Sequence, residues 1–194
     1  TGLDSFVEIK DYNSNTNNFT FYNLNLELTK IIFNKNNIEF EINNFEFKNS
    51  LGLNLNQFTS KLTYVDSNFS LKNLNLSYGN SNLEGDFLLD LSRIRNFSSF
   101  NSNIIDSIFL NFKIRNSNIF PSDFSNFYNK INKSYSEIWK FKSDIKGFVN
   151  ELIIENSIFS NQENLIKFES NLKNVFNKDL DYSLDLNFET INIS

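Results

Sequence analysis

Histidine, cysteine, methionine and alanine are all missing from these 194 residues, which include one proline and five glycines. Each gap excludes something. Without His or Cys the chain cannot assemble a Ser-His-Asp or Cys-His nucleophile, the usual zinc site or a disulfide. The few glycines are too dispersed for a phosphate-cradling loop. No basic leader followed by an apolar stretch opens the chain, and no apolar run reaches the length of a membrane span. Any targeting signal or anchor is therefore expected outside these residues, and the Thr1 start suggests a segment or a processed product. The formal net charge of -5 runs against the basic stripe that nucleic acid requires. Lys140 and Lys142 come nearest to a basic patch, and Glu137 and Asp144 interrupt it.

Asparagine is abundant, at roughly a fifth of the chain, with Phe, Ile, Leu, Lys and Ser making up most of the rest. These residues share AT-rich codons, so the bias reads as mutational. Asn is interleaved with apolar residues and does not form long polar tracts. The interleaving has period two. In Leu180-Asp181-Tyr182-Ser183-Leu184-Asp185-Leu186-Asn187-Phe188-Glu189 every even position is apolar and every odd one polar. Strand side chains alternate between faces, so such a segment has one apolar and one wet face. Ile38 to Ile42 and Leu51 to Leu55 repeat the pattern.

The apolar phase slips at three places. Phe19 and Phe21 give way to Leu24, Leu26 and Leu28 across Tyr22-Asn23. Ile38, Phe40 and Ile42 give way to Phe45 and Phe47 across Asn43-Asn44. Phe69 and Leu71 give way to Leu74 and Leu76 across Asn73. A one-residue slip swaps faces, so each site calls for a bulge or tight bend. Further strands are expected at Phe6–Ile9, Leu62–Val65, Leu83–Leu91, Ile105–Ile114, Trp139–Ile145, Phe148–Glu155, Leu165–Leu172 and Ile191–Ser194. Phe124, Phe127, Tyr128 and Ile131 fall at helical spacing behind Pro121, which predicts a short helix over Asp123–Lys133.

The expected fold is mainly β: an antiparallel meander of about ten strands forming a long, twisted, grooved, taco-like sheet with one short helix near the middle. Its parts are a repetitive β segment over 1–118, a helix and loop over 119–134, and a continuing β segment over 135–194, all one continuous architecture. No βαβ alternation suggests a nucleotide-binding fold.

Little chemistry is expected. The carboxylate pairs Asp181/Asp185 and Glu39/Glu41 fall on predicted wet faces. Asp86 and Asp90 lack the spacing of a calcium loop. No catalytic residue, metal or cofactor is expected, and the chain reads as non-enzymatic. Its repeated Phe-rich face would serve either as a filled sandwich core or as an open groove, since both need one apolar side. The phase slips suit a bent sheet and the repetition a quasi-one-dimensional stack, which favours the groove. The expected wall residues are Phe40, Phe47, Tyr64, Leu71, Trp139, Phe141, Tyr182, Leu184, Leu186 and Phe188.

Two stretches resemble the AsmA-like superfamily and its TamB-type envelope proteins. Phe69-Ser70-Leu71-Lys72-Asn73-Leu74-Asn75-Leu76, followed by Asn80-Ser81-Asn82-Leu83-Glu84-Gly85-Asp86-Phe87-Leu88-Leu89, is similar to that family's recurring hairpin. Asp123 to Phe127, followed by Ile145 to Asn156, resembles its short helix and following strand pair. The resemblance implies a periplasmic β structure, anchored to the inner membrane by a segment outside these residues. Its apolar face would conduct phospholipid between the membranes of a Gram-negative cell and support outer-membrane biogenesis. The implied partners are phospholipid acyl chains, neighbouring segments of the same chain and an outer-membrane barrel protein. The other reading is a structural or assembly module, a scaffold or a surface adhesin, without lipid transport.

Overall fold

The computed structural model describes residues 7–9, 19–49, 54–94, 106–125, 137–175 and 181–190. They form one eleven-stranded sheet whose spatial order is the order of the sequence. The strands are β1 (Val7–Ile9), β2 (Phe19–Asn34), β3 (Asn37–Asn49), β4 (Asn54–Val65), β5 (Asn68–Tyr78), β6 (Ser81–Asp90), β7 (Phe109–Ile119), β8 (Trp139–Phe148), β9 (Glu151–Ser160), β10 (Asn164–Lys173) and β11 (Asp181–Thr190). Every adjacent pair is antiparallel, and β1 and β11 do not meet, so the sheet is an open meander. The expected mainly-β meander is therefore what forms.

Local chemistry makes the hairpins. Asp66 and Ser67 both take positive φ, 47° and 66°, as a two-residue turn that matches strand twist requires. Gly79, at φ 58°, turns β5 into β6. Three expected phase slips coincide with breaks in pairing register: at Asn23 (φ 53°), at Asn43, and at Asn73 (φ 53°). Asn tolerates the left-handed region better than most residues, which is why it sits there.

Other expectations shift. Of the expected Leu51–Leu55 strand, 51–53 lie outside the described residues, and Leu55 belongs with Leu62–Val65 to one strand: Leu55, Phe58, Ser60 and Leu62 lie along β4. An extra residue at Asn56 breaks the pairing with β5, and Ser60 occupies an apolar-face position between Phe58 and Leu62, so the alternation is hidden. β2 runs on past Leu28 to Asn34 through a second irregularity at Lys30-Ile31. Phe148 closes β8 and does not open β9. Pro121–Phe124 forms a single 3-10 turn; the rest of the expected helix, and the expected Ile191–Ser194 strand, lie outside the described residues.

That 3-10 turn straps the end of β7 to the β5–β6 hairpin. Asp123 accepts hydrogen bonds from the backbone N–H groups of Asn80 and Ser81, at 2.9 and 2.8 Å, and from Ser81 Oγ at 2.6 Å. Asp123→Ala should cost about 2 kcal/mol, since it orphans several donors to one charged acceptor. A lowered urea midpoint with an unchanged denaturant slope would show it.

Contacts of any extent run only between sequence-adjacent strands, and no second sheet or long helix covers either face among the described residues. The chain exposes 13479 Å², against about 9,500 Å² for a compact monomer of its mass. The sheet is a single layer.

Candidate functional site

Cross-strand register assigns every residue to a face. One row runs Tyr64, Phe69, Leu89, Leu110, then across Gly147 to Leu152, Leu172 and Tyr182. The next runs Phe40, Leu62, Leu71, Phe87, Phe112, Ile145, Ile154, Ser170 and Leu184. A later row holds Phe141, Phe159, Ile166 and Phe188, and Leu186 lies opposite Phe168. Phe47 pairs Leu55, and Trp139 pairs Ile119 on the same face. All ten expected wall residues thus share one face of the sheet.

Rings tile this face: Phe69, Phe87 and Phe112 meet edge to face at 6.4 and 5.8 Å between centroids, and Trp139 stacks on Phe159 at 4.5 Å. Such geometry suits the aromatic quadrupole. The rows run across the strands, so the eight inter-strand steps from β3 to β11, about 4.8 Å each, give an apolar path on the order of 40 Å long.

The middle of this face is built differently. Only two apolar side chains, Leu74 and Ile114, are buried among the described residues, whereas eight serines are. Ser60, Ser117, Ser143, Ser157 and Ser170 all point to the apolar face. They lie along a band of bulges that crosses the sheet at Lys72-Asn73, Arg115-Asn116 and Glu155-Asn156. A bulge takes backbone groups out of the ladder, and a small hydroxyl can meet them. Ser60 Oγ donates to Lys72 C=O at 3.0 Å, Glu84 N–H donates to Ser117 Oγ at 3.0 Å, and Ser157 Oγ donates to Glu155 C=O at 3.2 Å. Ser143 and Ser157 share a hydroxyl pair at 2.7 Å, and Ser170 donates to Ser183 C=O. Sequence reasoning passed over these serines as a group. Their signal was position: each occupies an inward slot in an otherwise apolar alternation.

The opposite face carries the charges. Lys61 pairs with Glu39, Lys30 with Glu41, Arg115 with Asp86 and Lys146 with Glu155 across neighbouring strands. These exposed pairs add little stability each but reinforce register. Hydrogen bonding to Glu39 raises the Lys61 pKa. Asp90 is lowered by hydrogen bonds from Ser92. Burial raises the Tyr78 phenol, with the Asp123 charge adding to it. Asp86 also accepts the Asn73 N–H at 2.8 Å, so Asp86 and Asp90 serve as local acceptors. No group of three or more His, Cys, Asp or Glu that could hold a metal occurs among the described residues. This face is not wholly polar: Phe109 packs on Phe148, and Arg93 lies 4.5 Å over the Phe148 ring. A recess of about 970 Å³ on this face is bordered by Asn118, Phe120, Ile138, Lys140, Ser160 and Glu163.

Compared with protein-family models, with curated proteins and with solved structures, the chain gives no match. Among the described residues no helix is long and apolar enough to cross a membrane.

Proposed function

We propose that this chain is a non-enzymatic segment of an AsmA- and TamB-like envelope protein, whose apolar face carries phospholipid acyl chains between inner and outer membrane. The observation that carries the reading is the uncovered single layer: ten wall residues share one face, and no second layer stands over them among the described residues. An acyl chain needs a continuous apolar path and few directional bonds. The row from Phe40 to Leu184 supplies such a path, and the ion-paired opposite face keeps the sheet wettable. The hairpin that resembles the AsmA-like repeat is β5–β6, and its Asn73 bulge and Gly85 lie at the band where the serines cluster.

Native mass spectrometry of the purified chain tests this. Phospholipid should travel with it and be displaced by added detergent. A chain that stays folded and monodisperse with no lipid bound, and takes up none from vesicles, would refute the transport role.

A further inference from the structure

β11, the last of the described strands, is unfinished on three counts. β11 pairs with β10 on one side, and its other edge is unpaired among the described residues. Alternate residues of an antiparallel strand point N–H and C=O to each side, so this edge is a row of open backbone groups. On the apolar face Tyr182 and Phe188 are 65% and 67% exposed, and no strand flanks them beyond β11 among the described residues. On the wet face Asp185 lies directly opposite Glu169, and like charges so placed destabilise a sheet. The nearby cations are engaged elsewhere: Lys167 holds Glu189 at 2.9 Å and Lys173 faces Glu151 at 3.6 Å. Lys113 and Lys142 border a second recess, of about 710 Å³, together with Glu169 and Asp185, and form an ion pair with neither carboxylate.

A second copy of β11 does not answer this need. The wet positions of β11 are Asp181, Ser183, Asp185, Asn187 and Glu189, so no antiparallel register that keeps apolar against apolar brings a cation to Asp185, and the centred one sets Asp185 against Asp185 and Asp181 against Glu189. A parallel in-register pair sets each carboxylate beside its own copy. The β2 edge of another copy offers Glu27, and a Lys30 already held by Glu41.

We propose that the β11 edge is a docking site for an extended polypeptide strand in which apolar residues alternate with Lys or Arg. Such a strand extends the ladder, covers Tyr182 and Phe188, and brings a cation to Asp185. The inference stands apart from the lipid reading, because it needs only the edge and its charges.

The test uses ten-residue peptides titrated into the 194-residue chain. An alternating Leu/Lys peptide should bind, more weakly as salt rises, and an alternating Leu/Glu peptide should not. N-methylation of one alternate set of its amides should abolish binding, and methylation of the other set should spare it. Asp185→Asn should weaken the Lys peptide by up to about fivefold, and Asp185→Lys, on an exposed edge, should reverse the preference between peptides. Equal binding of both peptides overturns the proposal. So does equal binding of both methylated forms, which would mean attachment to the apolar face alone. Amides of β11 already protected from hydrogen exchange before peptide is added would mean that another segment or copy holds the edge, and that too overturns it.

Discussion

Gly85→Val is expected to cost the chain about 3 kcal/mol or more, the upper range for overpacking a close-fitted site. A Cβ built on Gly85 would stand 2.5 Å from the Lys113 carbonyl oxygen and 3.0 Å from Phe112 Cε2. The first neighbour is backbone, so no rotamer change can relieve the contact. β7 comes this close because its Arg115-Asn116 bulge bends it beside β6. Pushing β7 away would also strain the Arg115 guanidinium, which donates to Gly85 C=O at 3.3 Å and pairs with Asp86 at 3.0 Å. Domains of this kind hold only about 5–15 kcal/mol in total. The urea midpoint should therefore fall sharply, and hydrogen exchange should quicken in β6 and β7 first. Asn111→Val, exposed on the wet side of β7, is the control and should stay within about 0.5 kcal/mol of the parent. Matching midpoints for the two variants would mean that the strands do not approach so closely there.

Leu184→Asp combined with Leu186→Asp is expected to abolish phospholipid retention while sparing the fold. Both leucines lie on the apolar face of β11, 52% and 44% exposed, so the sheet itself gains little from burying them. A phospholipid whose two acyl chains lie along neighbouring rows would cross both positions. Each carboxylate would then have to shed water beneath a hydrocarbon, which should weaken retention at least about tenfold apiece. Native mass spectrometry before and after the double change reads the effect directly. Asp185→Asn, between them on the wet face, should leave lipid retention unaltered. A folded double variant that still carries phospholipid at the parent level would refute the assignment of this face to lipid.

Much of the fold was legible in the amino-acid order because the alternation is simple. Phe40, Leu71, Tyr182 and Phe188 all fall in the apolar phase of their strands, and pairing register then carries them to one side. The slips at Asn23 and Asn73 were legible because apolar residues flank both sides of each. Two similar slips, at Asn116 and Asn156, were obscured. There the inward residue after the bulge is Ser117 or Ser157, so the apolar alternation lapses with no apolar residue to mark the slip. Ser60 hid the continuity of β4 in the same way. Period-two reading treats serine as an outward residue. It cannot register that a hydroxyl is the right size and chemistry to meet a carbonyl freed by a neighbouring bulge. The ion pairs of the wet face were illegible for another reason: Lys61 and Glu39 become neighbours only once register is set.

The strict neighbour-to-neighbour order of the strands has a consequence for how such a chain assembles. Most hairpins can close from residues a few positions apart, the β6–β7 and β7–β8 connections being the long ones, so the entropic toll of loop closure stays small at most steps. Strands can be added to a growing front in the order in which they leave the ribosome, with no wait for a distant partner. Heat or pulling force should then peel the structure from its ends, and a lesion at β6–β7 would leave two shorter ribbons.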